Sequence, residues 1–536
     1  MAKELSYQPL FNLGINGLNT QDNPSTLDPS YLTLAENVVL RESGRIAFRK
    51  GFKQKVAPSG TAIGSVTEHN DSGTNKIFAS HGTSIYTVDF TSPASAFPSS
   101  GADVKRTVAN STGDWQYVNF NKRLHCFHAN IVPQRYDGAL SAGAKWADFL
   151  NSSKPAGVTT FNPSCGMGYY GRILCGGLAE GKDVLYYSTL LDGDDFRLTS
   201  ANSSSNGGSI SLRTVWGTDD IVAIAPFYGK LVIFGTNNIV IYDNPSIIGN
   251  LTLNEVIRGV GLVSRDSIQA IGDDLVFLSN TGLRSLARTT EKDKLPLTDL
   301  SLNVKDTLIR HIGQSSNVKS IYVENEVIYI MTFTASNITY VFDFKHSTPN
   351  GAPRITTWSF DNDREPASMA YTTLYGLLVG QKDGGLACYQ DYFDTDLAGA
   401  STFTDNAYVA NFATTWVNLG ESVAASLLKR LFMVLEGGSG ASLGLKWYKD
   451  FSPTPSKTTT ITLNPITTGN TSLWGAASSL YGKSGVTYKP VFGLREYRTP
   501  LTGSAKNLKI AISITSNGFD ASLQELTLLH KQGKIR

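Results

Sequence analysis

Short apolar runs separated by tight polar turns repeat from Gly64 to about residue 390. The clearest copy is DIVAIAPFYGKLVIFGTNNIVIYDN, which starts at Asp220. It reads as an apolar strand, a turn, a strongly apolar strand, a second turn and a strand ending near a Tyr. Similar units begin at Gly64, Trp115, Cys165, Asp266, Val318 and Ala367. Their turns have the composition hairpins require: Gly229–Lys230, Asn237–Asn238, Asp273–Asp274 and Asn280–Thr281–Gly282. Units of three or four strands recurring about every 50 residues predict a β-propeller of six or seven blades. Each small unit buries its faces against its neighbours. Two stacked β-sandwiches are the alternative arrangement of the same strands.

The pattern changes near residue 400. Seven further strands follow, split by Gly, Pro and Ser turns, and LKIAISITS alternates cleanly, with Leu508, Ile510, Ile512 and Ile514 on one face. This predicts an antiparallel β-sandwich. Helical spacing is scarce. TDLSLNVKDTLIRHIG places Val304, Leu308 and Ile312 on one face, with Asp299 or Ser301 as cap. DPSYLTLAENVV offers Asp28 as N-cap and Pro29 at the first helical position, which predicts a second, short helix. In ENVVLRESGRIAFRKGF, Val39, Ile46 and Phe48 alternate with polar neighbours around Ser43–Gly44, a hairpin pattern. The expected fold is all-β: an N-terminal extended segment and hairpin over 1–58, a propeller over 59–400 and a sandwich over 401–536.

Composition narrows the function. The chain has 536 residues, of which 41% are hydrophobic and 17% charged, with a formal net charge of +2. A free nucleic-acid-binding domain usually carries a stronger basic excess. In the hairpin, Arg41, Arg45, Arg49 and Lys50 are too few for a DNA patch, and alternation splits them between faces. They read as interface or salt-bridge groups that seat the N-terminal segment. The basic tail His530–Arg536 reads as a solvated terminus, with phosphate contact as the sharper alternative. No apolar stretch suits a secretion signal or a membrane span, so the expectation is a protein made and kept in a cytoplasm.

No catalytic motif stands out. Nucleophile elbow, zinc-protease, phosphate-loop and dinucleotide patterns are missing from the sequence. Cys126, Cys165, Cys175 and Cys388 show no C-x-x-C spacing and read as buried small hydrophobes. His125 and His128, three apart on a strand, are expected on opposite faces. The cluster Asp192, Asp194 and Asp195 could offer oxygens to Ca²⁺, but the bidentate Glu of an EF-hand is missing downstream, and a turn explains it as well. Ser111–Trp115 (STGDW) matches a sialidase box poorly. The 23 Tyr, 25 Phe and 7 Trp serve blade packing, with a sugar or base platform as the alternative. The reading is a non-enzyme without cofactor or metal and with no catalytic residue.

A resemblance covers nearly the whole chain. Gly14/Gly17–Asn19, Asn23–Pro24, Ala35–Asn37 and the Gly44–Arg45–Arg49–Gly51 hairpin resemble the opening of the tail nozzle, tail tubular or tail hub proteins of short-tailed bacteriophages. The middle and the close, from WVNLG to GKIR, resemble their propeller and terminal sandwich. The resemblance implies a structural virion protein in the phage tail. It would be a homo-hexameric ring below the portal and adaptor that extends the DNA conduit, retains the genome and docks fibres or a needle. Contact with the translocating DNA would be transient, and a lumen rich in Lys and Arg is not expected. The alternative is a propeller-type glycan-binding or glycan-degrading tail spike.

Overall fold

The computed structural model describes residues 5–532, apart from 11, 42–44, 72, 89–105, 142, 199–204, 288–298, 315–316, 361–363, 391–393, 399–401, 420–424, 438–439, 464–493 and 517; at 394–398 and 402–405 it describes the backbone alone. The turn at Ser43–Gly44 and the last four residues of the tail therefore lie outside the described residues.

The chain forms a β-propeller of six four-stranded blades, followed by a sandwich. The blades span 63–107, 116–148, 165–211, 221–258, 318–358 and 366–389, the last completed by Phe52–Val56. A three-stranded sheet over 269–285 fills the place between the fourth and fifth blades. Each blade is antiparallel, because hairpin turns join successive strands. The second strands are buried on both faces, as in Lys230–Gly235, where only Lys230 reaches solvent. That explains why these strands read as continuous apolar runs. Apolar clusters bridge neighbouring blades: Leu174 and Leu185 meet Leu231 and Ile233, and Val66 and Ile77 meet Leu378 and Leu386. The second contact closes the ring.

The N-terminal residues do not stand apart. Phe52–Val56 pairs with Leu386–Tyr389 as the outer strand of the last blade, so the ring is fastened by a strand from the beginning of the chain. Leu32–Glu36 bridges the fifth blade, through Glu36↔Thr357, to Val409–Thr414 of the sandwich. Val38–Leu40 and Ile46–Phe48 form the expected hairpin and extend one sandwich sheet, alongside Leu5–Leu10, Ser426–Gly437, Leu494–Pro500 and Ala521–Lys531. The other sheet contains Ser442–Lys449, Lys457–Thr462 and Asn507–Thr515, and Leu508, Ile510, Ile512 and Ile514 all face the core.

Two local expectations are corrected. Residues 28–39 hold no helix: Leu32–Glu36 is a strand, because Leu32 and Ala35 gain full burial and ladder partners on both sides. The hairpin tips expected at Gly229–Lys230 and Asp273–Asp274 fall one residue earlier, at Tyr228–Gly229 and Gly272–Asp273, since Phe227 pairs with Lys230 and Ile271 with Asp274. The helix near residue 305 is present at Lys305–Gln314, with Leu308 buried and Ser301 at the start of a preceding 3₁₀ turn.

Candidate functional site

The inner strands of the propeller line a central cavity of about 250 Å³. Ser65, Gln116, Gln269, Ser320 and Ser368 make its wall polar. Four charges meet there from distant parts of the chain. Arg265 and Asp266 belong to a 3₁₀ turn, Arg265–Ser267, which Ser267 pins by donating to the Ser264 carbonyl at 2.7 Å. Lys319 lies on Val318–Val323, and Asp114 on the link between the first two blades. Arg265 donates to Asp114 at 3.1 Å, to Asp266 at 2.8 Å and to the Ser164 carbonyl at 2.7 Å. Lys319 reaches Asp266 at 2.6 Å and also pairs with Asp114.

Burial alone would raise the Asp266 pKa, but Arg265 and Lys319 reverse this and hold the carboxyl well below the usual range. Burial likewise works against the charged forms of Arg265 and Lys319, and the two carboxylates raise both pKa values. Acid–base work on a glycoside needs a carboxyl that keeps its proton near neutrality. Asp266 is instead held ionised. The bonds among Arg265, Asp266, Lys319, Asp114 and the Ser164 carbonyl tie four chain segments together. Sequence reading missed it. Its members are separated by up to 205 residues, and the only signal was Asp114 inside STGDW.

The acidic run at 192–196 is a knot of ion pairs. Asp194 accepts from Arg123 at 3.0 Å and Arg135 at 2.7 Å, and Asp195 accepts from Arg197 at 2.8 Å. A cation there would have to displace these arginines. Among the described residues no group of three or more His, Cys, Asp or Glu is placed to hold a metal ion. His125 and His128 are both buried but meet different partners, and a bulge between Cys126 and His128 interrupts the alternation. His125 faces Asp194 at 3.5 Å, and His128 bonds Thr112 at 2.9 Å beside the Trp115 ring. Burial pushes the His125 pKa down to about 4, against the pull of Asp194. The four cysteines are free thiols, all buried. His530 is buried in its strand.

The hairpin cations all find partners on the same chain. Arg49 is fully buried. Its guanidinium lies 4.1 Å from the Tyr408 ring centre and 5.1 Å from that of Phe52. It donates to Asn37 Oδ1 at 3.0 Å and to the Lys50 and Ser359 carbonyls at 2.8 and 3.3 Å. Arg41 pairs with Asp520, Arg45 with Glu436 at 3.4 Å and Lys50 with Glu326 at 2.8 Å. Arg354, also buried, pairs with Asp343 and donates to the Leu40 carbonyl at 3.1 Å. The hairpin is thus a junction where propeller and sandwich are locked together.

Other motif positions act in the same place. Gly17 has φ +77, and a Cβ there would stand 2.7 Å from the Ile355 nitrogen, so only glycine lets the segment lie on the fifth blade. Asn19 Oδ1 accepts from the Gln21 and Asp22 amides at 3.0 Å and shapes the following turn. Asn37, at φ 56, orients Arg49 and bonds the Val409 carbonyl at 2.9 Å.

No protein-family description and no curated protein matches the chain. Among solved structures it is similar to Raptor of Chaetomium thermophilum (TM-score 0.41, 13% identity), covering 64% of this chain and 29% of that one. It is similar to the Pan2 WD40 domain of Neurospora crassa (TM-score 0.38, 7% identity), covering 66% and 98%. A third likeness is PorZ, a surface component of the type-IX secretion system of Porphyromonas gingivalis (TM-score 0.36, 11% identity), covering 70% and 44%. The chain therefore spans less than half the length of Raptor and of PorZ. No helix among the described residues is long and apolar enough to cross a membrane.

Proposed function

We propose that this chain is a structural virion protein, the tail nozzle or hub of a short-tailed phage. It works as one subunit of a hexameric ring that extends the DNA conduit and offers docking surfaces to fibres or a needle. One observation carries the reading. The residues that resemble the phage family, Gly17, Asn19, Asn37 and Arg49, are the ones that bind the N-terminal segment into the seam between propeller and sandwich. A motif that fixes two domains into one body suits a part that bears load. The paired charges at the propeller centre suit it too, and they leave DNA to pass between subunits instead of through a blade ring. A glycan-cleaving spike would call for a carboxyl poised to give up a proton, and Asp266 is held ionised.

Native mass spectrometry of the purified full chain, alone and with isolated phage heads that lack their tail nozzle, tests this. A closed ring in solution, or incorporation at the head vertex, is the expected result. Glycan cleavage by a monomer or trimer that never joins the heads would overturn it.

A further inference from the structure

We infer that the cavity at the propeller centre is a binding site for a small, uncharged polyhydroxylated molecule, about the size of a single sugar ring. The inference concerns this cavity alone and does not depend on the ring reading.

Some groups in the cavity wall are already satisfied. Ser65 donates to the Gly113 carbonyl at 2.9 Å, Ser368 to the Ile63 carbonyl at 2.6 Å and Ser320 to the Asp266 carbonyl at 2.7 Å. Three others keep capacity to spare. Gln116 Oε1 accepts from the Gly166 amide at 2.8 Å. That bond fixes the orientation of the side-chain amide and leaves its NH₂ without a partner among the described residues. Gln269 is fixed the other way. Its Nε2 donates to the Ser320 carbonyl at 3.1 Å, and its oxygen has no donor among the described residues. Lys319, whose side chain is 9% exposed, gives two of its three protons to Asp114 and Asp266 and keeps the third.

These leftover groups define the ligand. They are a neutral donor, a neutral acceptor and an ammonium proton, each held in place by bonds to the backbone or to carboxylates. A hydroxyl donates and accepts at one atom, so a polyol answers all of them. A charged ligand is disfavoured. Arg265 and Lys319 are matched by Asp114 and Asp266, and an ion would have to break a buried pair. A volume of about 250 Å³ lies just under the range of drug-sized pockets, which suits one ring and not a polymer. The fixed amides also lower the entropic cost of binding, since they need not be ordered first.

Saturation-transfer NMR on the full-length chain tests this, with myo-inositol, glucose, galactose and mannose as neutral probes and glucosamine and glucuronate as charged ones. At least one neutral probe should bind, and the charged ones should bind more weakly. No transfer to any neutral probe at millimolar concentration overturns the inference, and so does tighter binding of a charged probe. Gln116→Met removes the free donor, and Thr67→Phe fills space in the wall of the same cavity. Each should weaken binding about tenfold. Undiminished binding by either folded variant places the ligand elsewhere and refutes the site; should Gln116→Met not fold, Thr67→Phe decides. Methyl glycosides of the sugars that bind separate two sources, and either answer supports the site. Binding equal to that of the free sugar points to the end of a glycan chain, and binding of the free sugar alone to a free monosaccharide. Ring formation is read separately on phage heads, so its failure leaves this site standing.

Discussion

The propeller centre and Arg49 at the domain junction both bury positive charge, and they satisfy it in opposite ways. At the centre, Arg265 and Lys319 share two carboxylates, Asp114 and Asp266, so each charge has at least two partners. At the junction, one guanidinium, that of Arg49, serves aromatic rings and backbone carbonyls from several segments. Redundant pairing tolerates the loss of one member. A single hub does not. The chain thus places its least replaceable cation where two domains meet and a shared network where one ring closes on itself.

The largest effect should come from Arg49. Arg49→Leu takes the guanidinium donor away from three oxygen acceptors and removes the cation from its rings, for a cost of about 4 kcal/mol. Arg49→Lys keeps the charge but not the planar fork, and should recover only about half of that. Urea unfolding of both variants measures it. A cost for Arg49→Leu no greater than that of Lys319→Met would erase the contrast between hub and network.

Acid sensitivity separates the two regions further. His125 has a folded pKa of about 4 against an ordinary 6.5. A depressed value means the unfolded chain binds the proton first, so stability is full above pH 6.5 and falls as pH drops toward 4. The loss amounts to about 3 kcal/mol. His125→Gln should flatten stability between pH 6.5 and 4, read by urea titrations across that range. The central network should contribute nothing to this slope. Asp266 has a pKa below the ordinary 3.8, so its contribution is present above that value and fades only as pH falls further. An unchanged slope in His125→Gln would put the acid-sensitive groups elsewhere.

These differences mark what sequence could and could not reveal. The blade repeat was legible because strand, tight turn and strand are local: Ile221–Phe227 and Lys230–Gly235 pair across two residues. The sandwich strand Asn507–Thr515 was legible by its alternation. The outer strand Phe52–Val56 was not, because its partner lies more than 300 residues away and nothing in FKQKV names Leu386–Tyr389. The strand at Leu32–Glu36 looked helical because Asp28 and Pro29 form a good helix start. Its pairing with the fifth blade and the sandwich outweighs that local signal. The central charges and the Arg49 site were invisible for the same reason: chemistry assembled by topology leaves no spacing to read.

Lys319→Met tests the redundancy directly. Asp266 keeps Arg265, and Asp114, with its side chain 46% exposed, can turn to water. The expected cost is about 2 kcal/mol, below the usual range for breaking a buried pair. Losing one cation also lets the Asp266 pKa rise, so acid unfolding of this variant should begin at higher pH than in the wild type. A midpoint that does not move would mean Arg265 alone holds Asp266 ionised.

The smallest effect should come from Arg45, and its smallness is informative. Its side chain is 45% exposed, and its pair with Glu436 spans 3.4 Å. Exposed pairs are screened by water and salt, so Arg45→Ala should cost no more than about 0.5 kcal/mol. Arg45 and Arg49 lie four residues apart in the same hairpin, so sequence alone ranks them equally; the structure separates them by burial. A phosphate contact would show differently: removing it would lower the salt dependence of any DNA binding by about one counterion. If Arg45 only helps seat the hairpin, DNA affinity measured across a salt series should be the same for Arg45→Ala and wild type. A reduced slope with unchanged stability would instead assign this side chain to the nucleic acid and leave Arg49 alone as the structural cation of the pair.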